Sequence, residues 1–136
     1  MPINNQVVGN VGLYYVCYKL SRLGWNVLPT ARNAKGVDIV AYNQEAIKTI
    51  TIQVKALSRR SPVPLGNKLD HLIADFVIIC RNAITDQPEC FVILPNEVIE
   101  LAHRGEKDGR VSYWLQPREY EQGQFFENLE RIVSGN

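Results

Sequence analysis

Two β-branched runs joined by a short polar link constrain this chain more than any other feature. The first is Gly36-Val37-Asp38-Ile39-Val40-Ala41-Tyr42 and the second Thr49-Ile50-Thr51-Ile52-Gln53-Val54-Lys55-Ala56, with Asn43-Gln44-Glu45 between them. Runs of this kind around a turn predict an antiparallel hairpin. An acid begins the first strand, and an amide and an amine end the second. In a hairpin those ends meet, so Asp38, Gln53 and Lys55 converge at one end of a sheet, and Gln53 and Lys55, two residues apart, share a face. A carboxylate, an amide oxygen and an ammonium at one place suit a hard cation and a water, the parts that metal-assisted phosphodiester hydrolysis requires.

The surrounding sequence supplies a frame for that hairpin. Residues 5–23 read as a helix, with Val8, Val11, Tyr15 and Leu23 near helical spacing and Gly24 as its stop. Residues 25–29 form a short strand ending at Pro29, and residues 57–68, rich in loop formers and positive charge, read as a loop stiffened by Pro62 and Pro64. Residues 76–80 and 90–94 are continuous apolar runs, the pattern of strands buried on both faces. A second helix opens at Pro95-Asn96-Glu97, with Asn96 as cap and Val98, Leu101 and Ala102 toward the core. Residues 104–109 read as a charged loop, and residues 111–115 as a short edge strand whose Trp114 is a candidate oligomer contact. A final amphipathic segment holds Phe125, Phe126, Leu129 and Ile132. The order of elements predicts one α/β domain over residues 1–136, with a central mixed β-sheet flanked by helices.

Composition narrows the setting. At 136 residues the chain has room for a core without staples. Cys17, Cys80 and Cys90 are odd in number, lie among apolar residues and form no CxxC pair, so buried free thiols in a reducing cytoplasm are expected. His71 and His103 lack zinc-ligand spacing. No apolar run reaches the length of a membrane span and no signal peptide opens the chain, so no membrane partner is expected. The net charge of +1 hides an asymmetry: residues 1–68 carry +7 and residues 69–136 carry −6. That favours a polyanion partner for the first half, unless folding interleaves the two halves and averages the field away.

Magnesium takes oxygen ligands. Asp38 offers a charged oxygen, Val54 its backbone carbonyl and Gln53 a neutral amide oxygen, while Lys55 beside them can orient a water or neutralise developing charge. Arg32 and Lys35 before the hairpin, and Arg59, Arg60 and Lys68 after it, are candidate phosphate contacts that fix register without reading sequence.

Gly36-Val37-Asp38 followed by Gln53-Val54-Lys55 resembles the signature of the PD-(D/E)XK nuclease superfamily, the restriction-endonuclease-like fold. That signature is an acid opening one hairpin strand and an (E/Q)xK triplet on the next. The resemblance covers roughly residues 5–102, judged by the order of elements. Its QxK form is similar to that of Mrr-type restriction nucleases, and Holliday-junction resolvases share the fold. It implies a DNA endonuclease using Mg²⁺ or Mn²⁺, with Asp38 as metal ligand, Gln53 as weak ligand or positioner and Lys55 as catalytic lysine. Cutting both strands of a duplex favours a homodimer. Many members also carry a Glu on the first helix, where this chain has Asn10 and Leu13. The alternative reading is a catalytically inactive protein of this fold that binds nucleic acid or a protein partner.

Overall fold

The computed structural model describes residues 2–31 and 36–133; Arg32 and Lys35 lie outside them. Helix α1, Asn5–Arg22, begins where the Asn4 side chain accepts a hydrogen bond from Val7 N at 2.9 Å. Its buried stripe is Val8, Gly12, Val16 and Leu20, with Cys17 alongside, a run of four-residue steps down one face. Val11 and Leu23 fall outside that stripe and are exposed, a correction to the expected core positions, whereas Tyr15 packs at its margin. Gly24, at φ +94°, ends the helix as the sequence predicts.

Five strands form the main sheet: β1 (Asn26–Pro29), β2 (Ile39–Tyr42), β3 (Thr49–Ala56), β5 (Phe76–Arg81) and β6 (Glu89–Ile93). They lie in the order β1-β2-β3-β5-β6, with β3 and β5 parallel and the other neighbours antiparallel. The predicted hairpin is β2–β3, in register Ile39↔Ile52 through Tyr42↔Thr49. The Asn43 side chain closes it by accepting from Ile47 N and Lys48 N. Helix α1 covers one face, over Ile39, Ala41, Ile50, Ile52 and Ile78.

On the other face lies a second core around Val77, Ile79, Phe91 and Ile93. It is closed by a three-stranded sheet of β4 (Val63–Gly66), β7 (His103–Lys107) and β8 (Arg110–Leu115), and by helices α2 (Pro95–Leu101) and α3 (Pro117–Tyr120). A last short helix, α4 (Glu130–Val133), returns Ile132 to the first core. The architecture is α/β with a central mixed sheet flanked by helices, as expected, plus a small sheet the sequence reading missed.

Three corrections come from that small sheet and one from α2. Residues 57–68 are not all loop, because Val63 and Leu65 alternate inward with Pro64 and Gly66 outward and pair with β8. Residues 104–109 are mostly strand, and β8 is the central strand of its sheet rather than an edge. The overlooked signal is Asp108-Gly109, both at positive φ, which makes the two-residue turn of a tight hairpin. Helix α2 is preceded by Leu94, not capped by Asn96: Pro95 takes the first turn, and the Glu97 carboxylate accepts from Leu94 N at 2.8 Å. The three cysteines are buried and free, and among the described residues no helix is long and apolar enough to cross a membrane.

Helix α1 approaches β3 closely at Gly12, where an added Cβ would lie 2.5 Å from the Ala56 Cβ. Gly12→Ala gains about 1 kcal/mol of helix propensity but forces the helix off the sheet, at a cost of about 1–3 kcal/mol. Chemical denaturation should show a net loss of stability that Ala56→Gly in the same chain largely restores; a more stable single variant would mean that the helix position is not set by this contact.

Candidate functional site

The loop entering β2 is shaped for one residue. Gly36 sits at φ +73°, and a Cβ there would meet His71 O at 2.5 Å and the Ile73 side chain at 2.9 Å. Only glycine fits both the conformation and the space. Next, Thr30 Oγ1 donates to Val37 O at 2.7 Å, Thr30 N donates to Asp38 O at 2.9 Å, and Asp38 N donates to Ile52 O at 2.8 Å. The Asp38 backbone is therefore clamped between the end of β1 and the middle of β3.

Its side chain turns to the same strand. Asp38 Oδ2 accepts from Val54 N at 2.7 Å, standing where a longer β2 would have placed a backbone carbonyl. A strand residue's N–H and C=O leave on the same edge, so the Val54 carbonyl also faces the Asp38 side. Asp38 and Val54 form one wall of a cleft of about 220 Å³; the other walls are Gly9, Asn10 and Leu13 of α1 with Thr30 and Ala31 after β1. The neutral Asn10 and Leu13 thus stand in the cleft, and no acid of α1 lines it.

Gln53 and Lys55 pair in register with Val77 and Ile79, so they project to the second-core face, not to the α1 face. Neither lines the cleft. Lys55 is half-buried; that burial pushes its ammonium below the usual lysine range, and the Asp38 carboxylate nearby offsets part of the shift. Gln53 is 6% exposed, and its buried Oε1 accepts no hydrogen bond among the described residues. An orphaned acceptor of this kind costs about 1–3 kcal/mol. The Asp38 N–H goes to Ile52 O, the residue that Ile39 already faces in register, so Asp38 and Gln53 are not a register pair.

These groups match a hard divalent cation in kind: a carboxylate, a backbone carbonyl and an amide oxygen without a donor. The set is thin in charge. No group of three or more His, Cys, Asp and Glu suited to a metal occurs among the described residues, and Asp38 is the one acid among those lining the cleft.

The flanking cations are placed unequally. Arg59 and Lys68 are exposed. Arg60 is held by Glu121, Nε to Oε2 at 2.5 Å and Nη2 to Oε1 at 2.9 Å. Glu121 also pairs with Arg81, which bonds Glu89 at 2.9 Å and lies over the Phe91 ring at 4.9 Å. Beside this network Tyr120 Oη donates to Ser61 O at 2.8 Å. Residues 57–62 are therefore anchored by α3, a role that no local pattern in the sequence signals. Lys19 likewise pairs with Glu127 at 2.7 Å. Folding thus neutralises part of the positive first half with acids of the second.

No family profile matches the sequence, and no curated protein matches it. Two solved structures share its fold. A bacterial homing endonuclease aligns over 97% of this chain and 95% of its own, with TM-score 0.64 and 18% identity. The Holliday junction resolvase Hjc of Archaeoglobus fulgidus aligns over 79% of this chain and 90% of its own, with TM-score 0.54 and 17% identity. The likeness is one of fold, restriction-endonuclease-like, and in the homing endonuclease it extends past residue 104, beyond the span the sequence reading assigned.

A charged Lys55 costs stability where it stands. Its folded-state pKa lies below the unfolded value, so the cost is full below the folded pKa, shrinks between the two, and is gone above about 10.4. Lys55→Met should therefore stabilise the protein by on the order of 1 kcal/mol near neutral pH, with the gap closing as pH rises. Thermal melts across pH test this; a less stable variant at pH 7 would contradict it.

Proposed function

We propose that this chain is a DNA endonuclease that hydrolyses phosphodiester bonds with Mg²⁺ or Mn²⁺. The observation that carries the reading is the bond from Val54 N to Asp38 Oδ2 in the wall of a cleft, with a half-buried lysine near the same carboxylate. The likeness of fold to two DNA-acting proteins supports it.

Asp38 and the Val54 carbonyl are the cleft oxygens that would hold the cation; Gln53, which does not line the cleft, belongs to the same proposal on sequence grounds. When bound, such an ion lowers the pKa of a water and screens charge on the phosphate. The bond to Val54 N fixes the orientation of the Asp38 carboxylate, so little reorganisation is needed at the moment of reaction. Lys55, its ammonium destabilised by burial, releases a proton more readily than a surface lysine and can act as the acid or base beside Asp38. Arg59 and Lys68 are the described candidates for phosphate contact; Arg32 and Lys35 belong to the same proposal on sequence grounds. Action on both strands of a duplex would use a homodimer.

The second reading is a nuclease-fold protein that binds DNA or a protein partner without cutting. It is favoured by the neutral Asn10 and Leu13 in the cleft and by the single carboxylate.

Incubation with supercoiled, linear and branched DNA in Mg²⁺ or Mn²⁺ separates the two. Cleavage is expected, and Asp38→Ala and Lys55→Ala should each slow it by about a hundredfold or more. Gln53→Glu, which adds a charge to a metal-poor site, should lower the cation concentration needed for half-maximal rate. Absence of cleavage on every substrate, or equal rates in all variants, would end the endonuclease reading.

A further inference from the structure

The small sheet turns one face to the second core and the other to solvent. Its inward side carries Val63, Leu65, Tyr113 and Leu115. The outward side follows from register: His103 opposite Trp114, Gly105 opposite Ser112, and Lys107 opposite Arg110. Nothing in the hydrolytic site requires these residues, yet they form a chemically coherent strip.

Two rings stand at one end. Trp114 is 40% exposed, and its indole N–H is fixed to Ser112 Oγ at 3.1 Å, which holds the ring in place. The His103 side chain beside it is 49% exposed. Two cations, Lys107 and Arg110, stand at the other end, about 14 Å away at strand spacing. Between them Gly105 contributes no side chain and leaves the floor low against Ser112. Two acids stand at its margins: Asp108 in the turn, and Glu119, whose Oε1 is 4.0 Å from His103 Nε2 and 3.9 Å from Arg118 Nε. Glu106 projects to the opposite face and is paired with Arg104 at 3.1 Å.

A ring fixed in place on the same exposed face as two cations is the pairing that single-stranded nucleic-acid surfaces use, and the charge of this face selects the kind of partner. A protein partner would have to cover the cations with acids and gains nothing from the low, narrow floor. An unpaired nucleotide strand offers both halves of the match, a base for a fixed ring and phosphates for the cations. We propose that the solvent face of β7 and β8 is a docking surface for single-stranded nucleic acid, with Trp114 as the stacking platform and Lys107 and Arg110 as phosphate contacts. The surface goes beyond the hydrolytic reading and needs neither Asp38 nor a metal.

Binding of the full chain to a fluorescent single-stranded oligonucleotide of about 16 nucleotides, in EDTA so that no cleavage enters, tests this. Trp114→Ala should raise Kd about tenfold. Lys107→Ala with Arg110→Ala should also raise it and reduce the slope of log K against log salt by about 1.4. In a Trp25→Phe background the remaining indole emission should be quenched on binding. A matched duplex should be affected much less by Trp114→Ala. The proposal is overturned if the wild type does not bind the single strand, if neither variant weakens it, or if duplex and single strand weaken alike. It is also overturned if Trp114→Ala abolishes self-association in sedimentation while leaving oligonucleotide binding intact, since the face would then be a contact between copies. An inactive hydrolytic site leaves every one of these readings unaltered, so the two proposals stand or fall separately.

Discussion

Strand β3 has a strand on each edge and an apolar layer on each face, and that enclosure sets the terms for the rest of the molecule. A strand so placed is normally apolar throughout. Ile50, Ile52, Val54 and Ala56 meet the requirement on the α1 side, and Gly12 lets the helix come down onto Ala56. On the other side the strand carries Gln53 and Lys55 opposite Val77 and Ile79. An orphaned amide oxygen and a desolvated ammonium are both unfavourable there, and the two apolar layers offset them. Polar groups held at such cost are the usual mark of a site shaped for chemistry.

The enclosure also explains why Asp38 is where it is. The strand before β3 stops early, and the Val54 N–H would be unpaired if the carboxylate did not take it. One bond thus satisfies a backbone donor and aims an acid into the cleft under α1. Around it the support is long-range. Gly36 yields space to His71 and Ile73, Thr30 holds Val37 and Asp38, and the loop after β3 is pinned by Tyr120 and Glu121 from far along the chain.

Charge follows the same logic. The two halves of the sequence differ strongly in sign, but Lys19 and Arg60 find Glu127 and Glu121 across the fold. Among the described residues, the cations with no acid partner include Arg59 and Lys68 after the hairpin, and Lys107 and Arg110 on the outer face of the small sheet. The molecule therefore presents separate basic surfaces rather than one basic hemisphere, and each must be judged by what lies beside it.

The hairpin, its position in a mixed sheet, the buried strands β5 and β6 and the convergence of Asp38 with the Gln53-Val54-Lys55 segment were legible in the sequence, because alternation and β-branching act over a few residues. The Asp108-Gly109 turn was legible too, but the charges on either side of it looked like a loop, and a strand exposed on its outer face shows little apolar pattern. Other features had no local signal. That Gln53 and Lys55 point away from the cleft Asp38 lines, that Arg60 is held by Glu121, and that Asn10 and Leu13 form the opposite wall all depend on pairings between residues far apart in the chain. Sequence determined which chemical groups were available and the strand that carries them. Only the tertiary structure decided which of them meet, because twist, register and the approach of α1 are set by packing between elements and not within them.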